Sequence, residues 1–237
     1  MHPAHQPLGT GDGQGGQRLR KSFHDELDQL RLQVELMGVK VDHNLERTRR
    51  VLLDGDPGAA AAAVACDDEI DAMNVSLTER CYDLLARENP VASDLRFVVS
   101  VLRILSELER IGDLALRVVK LNPERGLWAG HRATFDILVS MDDTAVAAYR
   151  DALRAWSAQD LHLATDLATR VRAMDMHYEH LMAELLRLVG PDAVRIATST
   201  LIAGRSLERI ADHSAIIGAR LRYMLTGDPD HLTAEVR

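Results

Sequence analysis

Six residues that occur twice constrain this chain more than anything else in it. Leu108-Glu109-Arg110-Ile111-Gly112-Asp113 returns 99 positions later as Leu207-Glu208-Arg209-Ile210-Ala211-Asp212, with Gly exchanged for Ala. Arg96 lies thirteen residues before Glu109 and Arg195 thirteen before Glu208, so the register holds along most of a long helix. Self-similarity of this kind marks a duplicated helical unit, in which neighbouring copies bury the faces that neither buries alone. Each copy carries two carboxylates four residues apart.

Nothing in the 237 residues alternates with period two for long, aromatics are only 4%, and the body is rich in Ala, Leu and Arg. An all-α chain of helix packed on helix follows, long enough for one large domain or two small ones. Residues 1–20 offer little to bury, so disorder is predicted there. Their Gly-rich run at 11–16 lacks a preceding strand and a following Lys-Ser or Lys-Thr, which argues against a phosphate loop. Ser22 and Asp25 read as a capping pair. Phe23, Leu27, Leu30, Val34, Met37 and Val41 then draw a narrow apolar seam along a helix over 22–53. Asp56 as N-cap and Pro57 at the first helical position open a second helix over 57–88, with Val64, Ile70, Leu77, Cys81 and Leu84 inward. Asn89-Pro90 breaks it. A third helix over 91–121 carries Val98, Val101, Leu105, Leu108, Gly112, Ala115 and Val119 on its seam. Beyond a linker at 123–133 come helices over 134–158 and up to 189, then a last one from Gly190-Pro191 to about 227, and a frayed tail at 228–237. Short connections make 21–122 and 134–227 two tandem, pseudo-symmetric three-helix bundles, each running up-down-up.

The formal net charge of −8 argues against a nucleic-acid partner, whose phosphate backbone requires a clustered basic face. Cys66 and Cys81 fall fifteen residues apart in one helix, roughly 22 Å at about 1.5 Å per residue. A disulfide needs Cα atoms within about 7 Å, so both are expected as buried, reduced thiols. No apolar run approaches the roughly eighteen residues of a membrane span, and no signal peptide is visible. A cytosolic protein is expected, reaching a membrane only through partners, because no helix is basic and amphipathic enough to lie in a bilayer alone.

The carboxylates suggest a chemistry. Glu109 and Asp113 line one flank of the third helix's apolar seam, and Asp67 and Asp71 flank Ile70 on the second. If these helices pack side by side, four carboxylates converge along one groove. The same logic selects Asp175 and Glu179 with Glu208 and Asp212 in the second copy. Clustered carboxylates repel one another unless protonated or neutralised, and an all-oxygen site suits Mg, Mn or Fe. A blander reading stands beside this one. Arg110 lies three residues before Asp113 and Arg209 three before Asp212, so each Asp has an intrahelical ion-pair partner on a solvated face. A carboxylate-metal bundle enzyme is disfavoured, because such di-iron proteins place Glu-x-x-His on two helices and this chain contains none. His177, His180 and His213 lack that spacing. No Gly-x-Ser-x-Gly elbow is present for nucleophilic catalysis. A metal-free scaffold that grips partners stays open.

Pro90-Val91-Ala92-Ser93-Asp94-Leu95-Arg96, the two Leu-Glu-Arg-Ile-(Gly/Ala)-Asp copies, Ala211-Asp212-His213 and the opening Phe23-x-x-Glu26-Leu27 together resemble the PhoU family of regulators of bacterial phosphate uptake. The resemblance covers about residues 19–227. It implies two pseudo-symmetric three-helix bundles and a non-enzymatic, homodimeric negative regulator. Such a protein bridges the phosphate ABC transporter ATPase and a sensor histidine kinase. It also implies metal held by acidic motifs, here Asp67, Asp71, Glu109, Asp113, Glu208 and Asp212, with Asp175-x-x-x-Glu179 departing from the family's terminal Asp. Where the family often has Asn four residues after the last motif Asp, this chain has Arg117 and Ile216, and Arg117 brings a cation within one turn of Asp113.

Overall fold

The computed structural model describes residues 12–236, with side chains from 21 to 233. Six long helices carry the fold: α1 (Asp12–Asp54), α2 (Pro57–Glu88), α3 (Ala92–Val119), α5 (Arg132–Ala158), α6 (Leu161–Leu185) and α7 (Ala193–Thr226), with the single turn α4 (Arg125–Trp128) in the connection. No strand occurs among the described residues. The two repeats are α1–α3 and α5–α7.

Local chemistry explains most of the boundaries. Asp56 accepts from the backbone N–H groups of Gly58 and Ala59 at 2.8 and 3.0 Å, with Pro57 following it, and so caps α2. Asp160 does the same for α6 through His162 and Leu163. Asn89 and Gln159 end α2 and α5 in the left-handed conformation. The last carbonyls of α1 are closed from outside, since Arg125 Nε donates to Leu52 O at 2.9 Å.

Several expectations are corrected. α1 begins at Asp12, so Ser22 and Asp25 lie inside the helix and residues 12–20, expected to be disordered, form its first turns; residues 1–11 lie outside the described residues. Extending a formed helix upstream costs far less than nucleating one. Val64 is not a core residue: Ala63 and Cys66 take the buried positions and leave it 46% exposed. The expected linker contains a helical turn that buries Trp128. α6 stops at Leu185 rather than 189, because Leu186 and Val189 find nothing to pack against. The tail is a 3₁₀ segment, Pro229–Val236.

The seam predicted for α1 is buried throughout, and so are Ile70, Leu77, Cys81 and Leu84 of α2 and all seven positions of α3. Cys66 and Cys81 are free, buried thiols, and burial pushes Cys81 up to about 12. One apolar core runs through both repeats, and Phe97 of α3 stacks on Trp156 of α5 at 6.4 Å. On one side of the molecule α1 meets α5. Tyr149 donates to Gly38 O at 2.7 Å, and a side chain at Gly38 would fall 2.6 Å from Leu153. Arg150 pairs with Asp42 and Arg49 with Asp142, each at 2.7 Å.

On the other side α3 and α7 run antiparallel, Arg96 lying beside Gly227 at one end and Glu124 near Arg195 at the other. At mid-seam His213 Nδ1 lies 2.5 Å from Oε2 of the fully buried Glu107, whose Oε1 is 3.0 Å from Arg103. Breaking a buried pair strands a charge. His213→Ala should therefore lower the unfolding free energy by about 3 kcal/mol, the low end of such losses because Arg103 remains. Urea denaturation measures this, and a loss below about 1 kcal/mol would remove the pair from the forces that join the repeats.

Candidate functional site

α2 and α3 pack antiparallel across the Asn89-Pro90 break, which sets Asp67 and Asp71 of α2 opposite Asp113 and Glu109 of α3. Asp67 is buried at 6% exposure, Glu109 half-buried, and Asp71 and Asp113 exposed. Asp67 Oδ1 is buried without a hydrogen-bond partner among the described residues. A Cβ at Gly112 would sit 3.0 Å from that oxygen, so the missing side chain makes room for the carboxylate.

Burial, then the charges of Asp71 and Asp113, push Asp67 up to about 6, with Lys120 partly offsetting them. Burial and the neighbouring Asp113 raise Asp71. Burial followed by Asp113 and Asp71 raises Glu109. Asp67, Asp71 and Glu109 each feel the charge of Asp113. The four are not drawn together: among the described residues no three His, Cys, Asp or Glu side chains stand close enough to hold an ion. The expected Arg110–Asp113 ion pair does not form among the described residues.

The second groove is chemically different. Glu208 is bound by Arg205, and Asp212 lies 3.6 Å from Arg209. Burial raises Asp212, while Arg209, His213 and Arg205 oppose the shift and Asp175 adds to it. Asp175 and Glu179 are exposed, and Ala211 occupies the place corresponding to Gly112. Here the motif is neutralised by its own chain.

Sequence reasoning missed Glu107, Arg205 and the setting of Arg117. Glu107 could have been found, because it falls between Ile104 and Ile111 on an apolar stripe where a charge demands a partner. Arg117 makes no ion pair with Asp113 and lines a cleft on the α7 side instead. Nothing in the local spacing announces that.

The raised Asp67 fixes the sign of a pH dependence. Its unfolded value is near 3.9 and its folded value about 6, so the folded state holds this proton more tightly. Stability from this group is present below about pH 4 and is lost as pH rises through about 6. Asp142, which burial lifts to about 6 against the pull of Arg49, acts in the same direction. A two-unit shift is worth about 2.7 kcal/mol, and screening at the exposed Asp71 and Asp113 reduces it to about 1–2 kcal/mol. Metal-free Asp67→Asn should be more stable than the parent at pH 7 by that amount and equal to it near pH 4. Thermal unfolding at both pH values checks this, and equal destabilisation at both would contradict it.

Comparison with known proteins matches this architecture. A PhoU domain model matches residues 34–121 and again 138–221, one match in each repeat. The phosphate-specific transport system accessory protein PhoU homolog of Pseudomonas putida is 31% identical over 231 residues, covering 92% of this chain and 89% of that protein. The crystal structure of PhoU from Pseudomonas aeruginosa superposes with a TM-score of 0.81 at 30% identity, covering 87% of this chain and all of that one. The phosphate transport system regulatory protein PhoU from Streptococcus pneumoniae gives 0.78 at 28% identity, covering 87% and 98%. With both repeats matched and the relatives aligned over nearly their whole length, this chain belongs to the PhoU family.

Proposed function

We propose that this protein is a non-enzymatic negative regulator of phosphate uptake. It bridges the ATPase of a phosphate ABC transporter and a sensor histidine kinase, and it keeps the phosphate-starvation response off while phosphate is plentiful. The observation that carries the reading is the match of both repeats to the PhoU domain, alongside relatives named as accessory proteins of phosphate-specific transport. No helix among the described residues is long and apolar enough to cross a membrane, which suits docking on the cytoplasmic faces of membrane partners. Deleting the gene from a strain with one copy should leave a phosphate-starvation reporter on in phosphate-rich medium. A reporter that stays repressed overturns the reading.

Metal belongs to the same proposal, and the two grooves do not suit it equally. The first offers the donor chemistry, though its four carboxylates stand apart in this structure: Asp67 carries a buried oxygen lacking a partner, and among the described residues no arginine is bound to any of them. Asp67, Asp71, Glu109 and Asp113 would hold Mg, Mn or Fe, hard or borderline ions that take carboxylate oxygen. The bound ion would supply positive charge that neutralises the groove. In the second groove Arg205 and Arg209 already provide that charge. Elemental analysis should therefore find the ion retained in Glu208→Gln/Asp212→Asn and lost in Asp67→Asn/Asp113→Asn. Equal metal in both folded variants would defeat the assignment.

A further inference from the structure

Beyond the acidic grooves, the α3–α7 seam opens into a cleft of about 320 Å³ between α3, α6 and α7. Its wall carries three guanidinium groups, Arg117, Arg205 and Arg209, with Tyr178, Ser206 and apolar side chains such as Leu201. No carboxylate lines it. Two larger clefts show the contrast: one of about 430 Å³ mixes Arg49, Arg150, Arg154 and Arg170 with Glu46, Asp143 and Asp151, and one of about 460 Å³ sets Glu124 beside Lys120 and Arg195. In those walls the carboxylates face the cleft, whereas Glu208 and Asp212, which pair with Arg205 and Arg209, are not among the residues lining this one.

The three arginines are held in different ways. Arg205 is bonded to Glu208 and lies over the Tyr178 ring at 5.9 Å, which orients its fork. The Glu208 bond raises the Arg205 pKa first and foremost, so its charge is permanent. Arg209 pairs with Asp212 and also lies 3.4 Å from His213 Nε2. Each guanidinium has five N–H donors, and one carboxylate contact leaves most of them available. Arg117 comes from the other repeat and has no ion pair or hydrogen bond among the described residues. Glu208 and Asp212 offset the charges of Arg205 and Arg209 from behind the wall, so Arg117 supplies the uncompensated charge and the two anchored guanidiniums supply oriented donors, and the planar fork matches phosphate oxygens bidentately. On an acidic protein this patch runs against the overall charge.

We infer that the Arg117–Arg205–Arg209 cleft binds a phosphate-class oxyanion across the boundary between the two repeats. Arg117 lies on α3 and the other two on α7, so the bound anion joins the halves of the molecule. The inference does not rest on the transporter reading, since it concerns binding to the isolated protein, and a failed gene deletion would leave it standing.

Equilibrium dialysis of the full chain at constant ionic strength tests it, with inorganic phosphate, sulfate and AMP as probes. Saturable binding is expected, weakening as chloride is added. Arg117→Gln should bind about ten-fold more weakly, the loss of one charge-assisted contact, with an unchanged thermal midpoint because the side chain is exposed and unpaired. Arg205 and Arg209 are poorer probes, since replacing either strands a carboxylate. Phosphate bound in preference to sulfate would identify the free ion as ligand, and AMP in preference to both would identify a phosphoryl ester. Equal binding of phosphate and sulfate would support a site that reads oxyanion charge. No saturable binding of any probe, or undiminished binding to Arg117→Gln, would overturn the inference.

Discussion

The antiparallel contact of α3 with α7 is what the rest of the molecule depends on. α3 packs on α1 and α2 within its own repeat and on α7 of the other, so its apolar surface serves two bundles at once. A helix used in this way must be buried over most of its circumference, and α3 has Ser100, Glu107 and Gly112 inside as well as its aliphatic seam. Burying Glu107 is tolerable only because His213 and Arg103 reach it. The repeats are thereby fixed in register as well as in contact, since sliding either helix by one turn would break that pair. The α1–α5 contact opposite, with its Tyr149 and arginine bonds, closes the other side of the same core.

Placing the acidic grooves on either side of this seam has an electrostatic consequence. Each acidic motif sits at the outer flank of α3 or α7, and the arginines follow the line between them. In the first repeat the carboxylates keep their mutual repulsion, which burial amplifies at Asp67. In the second, Arg205 and Arg209 offset it, while Asp175 still adds to the upward shift of Asp212. One duplicated motif has therefore diverged into a groove of uncompensated carboxylates and one whose carboxylates are paired with arginines of its own helix. The Gly112 and Ala211 exchange belongs to this divergence: where the glycine stands, a carboxylate oxygen occupies the space of a side chain.

The helical pattern was legible to the extent that burial depends on period. Phe23 to Val41, Ile70 to Leu84 and Val98 to Val119 are spaced for one face, and that face is inside. The failures fall where pattern is weak or where partners decide. In the Ala-rich start of α2, small side chains give no periodic contrast, so Val64 looked inward while Ala63 and Cys66 held the core. At the end of α6, Leu186 and Val189 are apolar yet unpacked, and the chain turns away. The carboxylates of the first groove were legible because Asp67, Asp71, Glu109 and Asp113 all follow from the spacing of two helices joined by a short break.

The sequence by itself determined that this is a duplicated all-helical protein, because hydrophobic period, capping residues and an internal repeat are local properties written within single helices. It also determined which carboxylates could meet within a repeat. Tertiary structure decided which of the pairs that helix spacing allows actually form. Arg110 and Arg209 occupy equivalent positions three residues before an aspartate, yet only Arg209 pairs with its aspartate, and Arg117 leaves Asp113 for a cleft formed with α7. Arg205 and Arg209 find carboxylates one turn away on their own helix, whereas the setting of Arg117 depends on how α7 packs against α3, and spacing within one helix does not encode that.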